Sequence, residues 1–203
     1  MKAAVVLVAA LIAAQAPPAP RHWARGQTIR VWIDTVDSPP NGETLVERAM
    51  RTWTRAAEGR FTLERVTEAR GAGAPGVMRD AAVRVRFMAA DYRYGVTAPR
   101  VDRQTGLIVR ADVAVAADAG RTPLERSIIV YLTALHELGH ALGLEHTTDI
   151  STIMYLFRQP GDGDRFFGAF AQRAHSLDDI GSERATGLSP DDVTALKALY
   201  DQK

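Results

Sequence analysis

Three histidines and a glutamate stand at the spacing of a catalytic metal site. His136, Glu137 and His140 lie in the stretch HELGHALGLEH, which also contains Gly143 and His146. Residues four apart lie on one face of a helix, so His136 and His140 can offer nitrogens to one Zn²⁺ at about 2.0–2.1 Å. Gly143 can adopt a positive φ, which ends the helix and brings His146 back as a third ligand. Three protein ligands leave a fourth position open for water, the pattern of catalytic zinc.

Glu137 is rotated by about 100° from His136 on the same helix, so we expect it to act as a base beside the metal and not as a ligand. The alternative is that these are ordinary histidines of a polar helix. The surrounding helix is apolar, however, and it would bury ionisable groups without partners.

The composition leaves room for this chemistry and excludes several others. The chain has 203 residues, of which 46% are hydrophobic and 24% charged, with a formal net charge of +1. These values are typical of one globular domain and give no indication of a nucleic-acid surface. With no cysteine, a disulfide framework, a thiol nucleophile and a cysteine-ligated metal are all excluded.

The first sixteen residues resemble a secretory signal peptide. Lys2 precedes an apolar run over residues 3–14, and Ala14 and Ala16 provide small residues before a cut after Ala16. The run is too short to span a bilayer comfortably, although Pro17 disfavours cleavage there and an uncleaved anchor is the alternative. We therefore predict a signal peptide at 1–16, a short linker at 17–26, a catalytic domain at 27–203, and a secreted or periplasmic location.

Five strands and three helices are expected to carry the site. Alternating apolar residues predict the strands at residues 28–36, 61–66, 82–87, 92–98 and 107–115. A first helix is predicted after Asn41 as N-cap, ending near Gly59. Thr122, Pro123 and Glu125 form a capping-box pattern at the start of the long helix that contains His136. A final capped helix is predicted from Ser189 onwards. The glycine-rich residues 71–76 are expected to form a surface loop.

These motifs resemble the metzincin zinc endopeptidases, whose pattern His-Glu-x-x-His-x-x-Gly-x-x-His is complete here. Eight residues after His146, Met154 is similar to the methionine of the family's Met-turn. Leu156 stands where astacin-like and serralysin-like enzymes have a tyrosine. Thr147 and the ending that starts LSPDDV are similar to the matrixin branch, from about residue 27 to residue 200.

The resemblance implies an α+β fold with a five-stranded twisted mixed sheet, two long helices, and a small C-terminal subdomain that holds the Met-turn and the final helix. It implies one catalytic Zn²⁺ on His136, His140 and His146, Glu137 as general base, and Met154 as a structural residue. An extended protein or peptide substrate is expected to pair with the fourth strand of a monomeric enzyme. The residues that this places at the substrate are Tyr94, Gly95, Val96, Thr97, Ala98, Leu132 and Tyr155.

Three features depart from the animal matrixins. Residues 88–121 contain no histidine for a second, structural zinc, and no cysteine is present to block the metal from a propeptide. The segment between Met154 and Leu188 is also long. Its Phe166, Phe167 and Phe170 could deepen the substrate pocket or form ordinary core, and the aspartates on either side of Gly163 could bind Ca²⁺ or simply form a surface turn.

The function that follows is zinc-dependent endopeptidase activity. A zinc-binding module that recognises extended peptides with little turnover is the alternative from another class. A gluzincin, such as a thermolysin-like enzyme, would need a distant glutamate as third ligand, which His146 makes unnecessary.

Overall fold

The structure is a computed structural model, and it describes residues 21–67, 81–90 and 93–202. The predicted signal peptide, the first part of the linker, the loop at residues 71–76 and Tyr92 lie outside the described residues.

The described part of the chain forms five strands and four helices. In chain order these are β1 (Gln27–Ile33), α1 (Gly42–Ala57), β2 (Phe61–Arg65), β3 (Val83–Met88), β4 (Gly95–Val101), β5 (Ile108–Ala116), α2 (Pro123–Ala141), α3 (Asp162–Ala171) and α4 (Pro190–Asp201). The sheet order is β2-β1-β3-β5-β4, with β4 antiparallel to β5 and all other neighbours parallel. The predicted α+β fold with a five-stranded mixed sheet is confirmed.

Helices α1 and α2 pack against each other and against the sheet. Buried Trp53 joins them, since its indole N–H donates to the main-chain oxygen of Leu135 over 2.8 Å. Helix α2 is buried around most of its circumference, because it lies between α1 on one side and strands β4 and β5 on the other. The long helix is therefore rigidly held beside the edge strand β4.

The end of α2 is fixed by residues from both ends of the domain. Trp23 is completely buried and donates from its indole nitrogen to the oxygen of Ala141 over 2.7 Å. The Tyr200 hydroxyl of α4 donates to the oxygen of Leu142 over 3.1 Å. These bonds satisfy carbonyls that a helix C-terminus otherwise leaves without partners.

Two predicted helix starts differ in detail from the structure. Asn41 has a left-handed backbone, with φ of 62°, and makes no side-chain cap bond. Thr122 accepts from the backbone of Glu125 as predicted, but the Glu125 carboxylate accepts from Arg121, one residue before the cap, so the box is only half formed. At α4 the capping box of Ser189 and Asp192 is complete.

Helix α3 was not predicted as a helix. It lies in the long segment after Met154 and buries Phe167 and Phe170. None of the helices in the described part of the chain is both long and apolar enough to span a membrane.

Candidate active site

Helix α2 places His136, Glu137 and His140 on the side of the helix that faces the cleft beside β4. After Ala141 the chain turns at Gly143, whose φ is +104°. A Cβ atom at Gly143 would lie 1.9 Å from the main-chain oxygen of Arg21. Both the backbone angle and the close approach therefore require glycine at this turn, as predicted from the motif.

The turn brings His146 to the other two histidines. The Nε2 atom of His140 lies 3.1 Å from that of His136 and 3.0 Å from that of His146. Donors placed about 2.0–2.1 Å from a tetrahedral Zn²⁺ would lie about 3.3 Å apart. Among the described residues, these three form the group of side chains able to hold a metal ion.

The other ring nitrogens fix the tautomers. Nδ1 of His136 lies 2.6 Å from the carbonyl oxygen of Ile153, and Nδ1 of His140 lies 2.8 Å from that of Leu144. A carbonyl only accepts, so each Nδ1 carries the proton and each Nε2 presents a lone pair. Lone pairs that converge at about 3 Å repel each other unless a cation lies between them, so the donor set fits Zn²⁺.

Burial keeps these rings neutral. It lowers the pKa of His136 from 6.5 to about 4 in the metal-free protein, and it also lowers the pKa of His140 and of His146. Neutral imidazole is the form that binds metals.

Glu137 lies beside this centre and is only 5% exposed. Its Oε2 atom is 2.7 Å from the hydroxyl oxygen of Thr97 on β4. Burial raises the pKa of Glu137 to about 7, and the hydrogen bond from Thr97 opposes that rise. A carboxylate with a pKa near 7 can both accept and return a proton at neutral pH.

Met154 lies under α2. It is 2% exposed, and a Cβ atom at Gly139 would lie 2.5 Å from its sulfur. The main-chain oxygen of the neighbouring Ile153 accepts a hydrogen bond from Nδ1 of His136. The main-chain N–H of Ile153 donates to the Asp192 carboxylate of α4 over 3.0 Å. The turn around Met154 thus connects the final helix to a metal-ligand candidate.

A cavity of about 480 Å³ opens beside the three histidines. Of the residues predicted at the substrate, it brings together Tyr94, Gly95, Val96, Thr97, Leu132 and Tyr155, while Ala98 does not line it. The sequence reasoning missed further lining residues, which are Arg93, Thr133, Ile153, Leu156 and Phe157. Phe157 could have been predicted, because it lies two residues after Tyr155. In an extended segment, side chains two residues apart point to the same face.

The three phenylalanines of α3 divide between the two predicted roles. Phe166 and Phe167 line the cavity, while Phe167 and Phe170, which are 8% and 2% exposed, belong to the core. Asp162 is also buried, and its Oδ2 atom accepts three hydrogen bonds from within the chain. Asp164 is exposed.

Comparison with known proteins agrees with this geometry. The family model described as Matrixin matches residues 28–167, which is about two thirds of the chain. Interstitial collagenase of Oryctolagus cuniculus is 46% identical over 52 residues, covering 26% of this chain and 11% of that protein. Interstitial collagenase of Equus caballus is 26% identical over 180 residues, covering 85% of this chain and 31% of that protein. The chain thus spans less than a third of the length of these curated relatives.

Proposed function

The chain belongs to the matrixin family of zinc metallopeptidases, and from that premise we propose that it is a secreted endopeptidase with Glu137 as its general base. The observation that carries the proposal is the convergence of three imidazole nitrogens beside a buried carboxylate, in a cleft next to a sheet edge. His136, His140 and His146 would hold the zinc ion.

A bound Zn²⁺ would supply a Lewis acid that makes water more acidic and polarises the scissile carbonyl. Glu137 accepts the proton of the attacking water and later passes it to the leaving amine. Its burial supports this role, because a carboxylate in bulk water has a pKa near 4 and would hold that proton poorly.

The substrate binds in extended form along β4. Within the described part of the chain, this strand is the edge of the sheet and pairs only with β5, so its outer backbone groups can bond to an added antiparallel strand. Pro99 has no N–H, so pairing is strongest over the first half of the strand, beside Glu137. The side chain that follows the scissile bond enters the cavity between Leu132 and Phe157.

Secretion rests on the N-terminal sequence alone. Residues 1–16 carry the pattern of a signal peptide, and residues 17–26 would connect it to the catalytic domain, residues 27–203. The enzyme would act as a monomer.

Replacement of Glu137 by glutamine tests the proposal. Glu137→Gln should still bind one zinc ion per chain and should lose casein hydrolysis by at least about 100-fold. Glu64→Gln is the matched control, because Glu64 is exposed on β2, at the opposite edge of the sheet from β4. A chelator should abolish the wild-type activity and added zinc should restore it.

Two outcomes would contradict the proposal. Full activity in Glu137→Gln would exclude this residue as the base. A wild-type protein that binds zinc and extended peptides without cleaving them would favour the alternative function, a peptide-recognition module with little turnover.

A further inference from the structure

Two pieces of the long segment after Met154 line one side of the cavity beside the histidines. One is the wall segment, residues 155–159, which follows the Met-turn. The other is helix α3, which presents Phe166 and Phe167 to the same cavity. How these two pieces are joined determines the shape of the cavity.

The carboxylate of Asp162 joins them, together with one backbone hydrogen bond from the Asp162 nitrogen to the Gln159 oxygen over 3.2 Å. Asp162 is the first residue of α3 and is 2% exposed. Its Oδ2 atom accepts from the Tyr155 hydroxyl over 2.9 Å and from the backbone nitrogens of Arg158 and Gln159 over 2.9 and 3.0 Å. Hydrogen bonds to an ionised acceptor are among the stronger ones in proteins, so the wall segment is held at both of its ends.

Phe157 lies between the bonded positions and is the part of the wall segment that reaches the aromatic rings. Its ring contacts those of Phe166 and Phe167, with centroids 5.5 and 5.8 Å away, and that of Tyr94 at 5.9 Å. Tyr94 in turn packs edge-on against Phe167 at 4.9 Å. The rings form a continuous apolar wall whose position depends on where the backbone around Phe157 is fixed.

We propose that Asp162 is a positioning residue that determines which side chains the cavity accepts, by tying the wall segment to α3. The inference rests on the proposed peptidase function, since it concerns the residue that follows the scissile bond. Without the tie, Phe157 can move away from the α3 rings, and the cavity discriminates less between a large apolar side chain and a small one.

Two peptides that differ only in the residue after the scissile bond, leucine in one and alanine in the other, test this directly. Asp162→Ala should lower the leucine-to-alanine ratio of kcat/KM by about 10-fold, mainly through a higher KM for the leucine peptide. Asp162→Asn keeps an oxygen that can accept from the two backbone nitrogens, and it should retain most of the ratio. Asp191→Ala removes an exposed carboxylate from the first turn of α4, away from the cavity lining, and should leave the ratio unchanged.

A second arm separates this inference from the function on which it rests. Binding of both peptides to zinc-loaded Glu137→Gln, with and without Asp162→Ala, measures selection without turnover. Hydrogen exchange at the Arg158 and Gln159 amides should be slow with Asp162 and at least about 10-fold faster without it.

The outcomes are distinct. If the wild type cleaves neither peptide but the ratio of the two binding affinities still depends on Asp162, only the peptidase function is contradicted and the inference about Asp162 stands. An unchanged ratio in Asp162→Ala, with only a lower melting temperature, would reduce Asp162 to a structural residue and overturn the inference. Unchanged hydrogen exchange would also overturn it, as would a wild-type protein that neither cleaves nor binds either peptide.

Discussion

The hydroxyl oxygen of Thr97 lies 2.7 Å from Oε2 of Glu137, although the two residues are 40 positions apart in the chain. The same hydroxyl lies 2.9 Å from the main-chain oxygen of Glu137. Its one proton can therefore serve either acceptor. Thr97 of the edge strand β4 thus helps to orient the Glu137 carboxylate of helix α2.

Loss of the Thr97 hydroxyl should change the pH dependence of catalysis. Donation to the ionised carboxylate lowers the pKa of Glu137, so Thr97→Val should raise it further. The base is then protonated at higher pH, and the acidic limb of the kcat/KM profile should move upward by about half a unit to one unit. Peptide hydrolysis from pH 5 to 9 measures this shift.

Thr97→Ser keeps the hydroxyl and serves as the control, with an expected profile close to that of the wild type. An unshifted acidic limb in Thr97→Val, combined with a uniform loss of activity, would assign Thr97 to packing only.

Replacement of Gly143 by alanine should cost stability and metal affinity together. The residue has φ of +104°, and the new Cβ would lie 1.9 Å from the Arg21 oxygen. We expect a loss of at least about 2 kcal/mol in the free energy of unfolding. Because His146 follows this turn, zinc binding should weaken as well. Urea denaturation and zinc titration measure both effects.

Gly168→Ala is the matched control for that substitution. Gly168 lies within α3, and a Cβ atom there would meet nothing within 4 Å. It should be neutral or stabilising by up to about 1 kcal/mol. Equal effects of the two substitutions would contradict the special role of the Gly143 turn.

The metal-ligand candidates could be predicted from the sequence because their arrangement is local. Helix geometry alone places His136 and His140 on one face, and one glycine with positive φ returns His146 within six residues of His140. The side-chain cap bond at Thr122 and the alternation in β1 are equally local. Such features depend on neighbours along the chain, which the sequence displays directly.

The remaining parts of the site depend on contacts between distant segments. The hydrogen bond from Thr97 to Glu137 exists only because β4 lies beside α2 in the folded domain. Helix α3 contains Gly163 and Gly168, whose low helix propensity favours a loop. Burial of Phe167 and Phe170 outweighs that preference, since most helical stability in proteins comes from tertiary packing.

Met154 should matter more for stability than for chemistry. Its sulfur lies 2.5 Å from the position that a Cβ of Gly139 would take, so the two residues fit closely under the histidines. Met154→Leu preserves volume but changes shape, and it should cost up to about 1.5 kcal/mol while kcat at saturating zinc changes little. Thermal unfolding and peptide hydrolysis measured on the same preparation separate the two effects.

Gly139→Ala probes the same contact from the helix side. The added methyl should cost about 1–3 kcal/mol, and the cost should differ when Met154 is already leucine, because residues in contact are not additive. Strict additivity of the two substitutions would contradict direct packing between them.

The buried imidazole of His136 should contribute stability to the metal-free protein that is lost on mild acidification, because the buried ring resists protonation. Its pKa is lowered from 6.5 to about 4 by burial in the folded protein. Between these values the unfolded chain binds a proton that the folded chain does not, so the His136 contribution to the free energy of unfolding falls as the pH falls from 6.5 to 4 and levels off below. The raised pKa of Glu137 contributes in the opposite direction, so the effect of His136 is measured against a variant that lacks it. The contribution of His136 is at most about 3 kcal/mol. Urea denaturation in the presence of a chelator measures the free energy of unfolding across this range. In His136→Asn, which cannot titrate there, that free energy should fall less, or rise more, than in the wild type as the pH falls. Identical slopes in the two proteins would mean that the imidazole is protonated freely in the folded state.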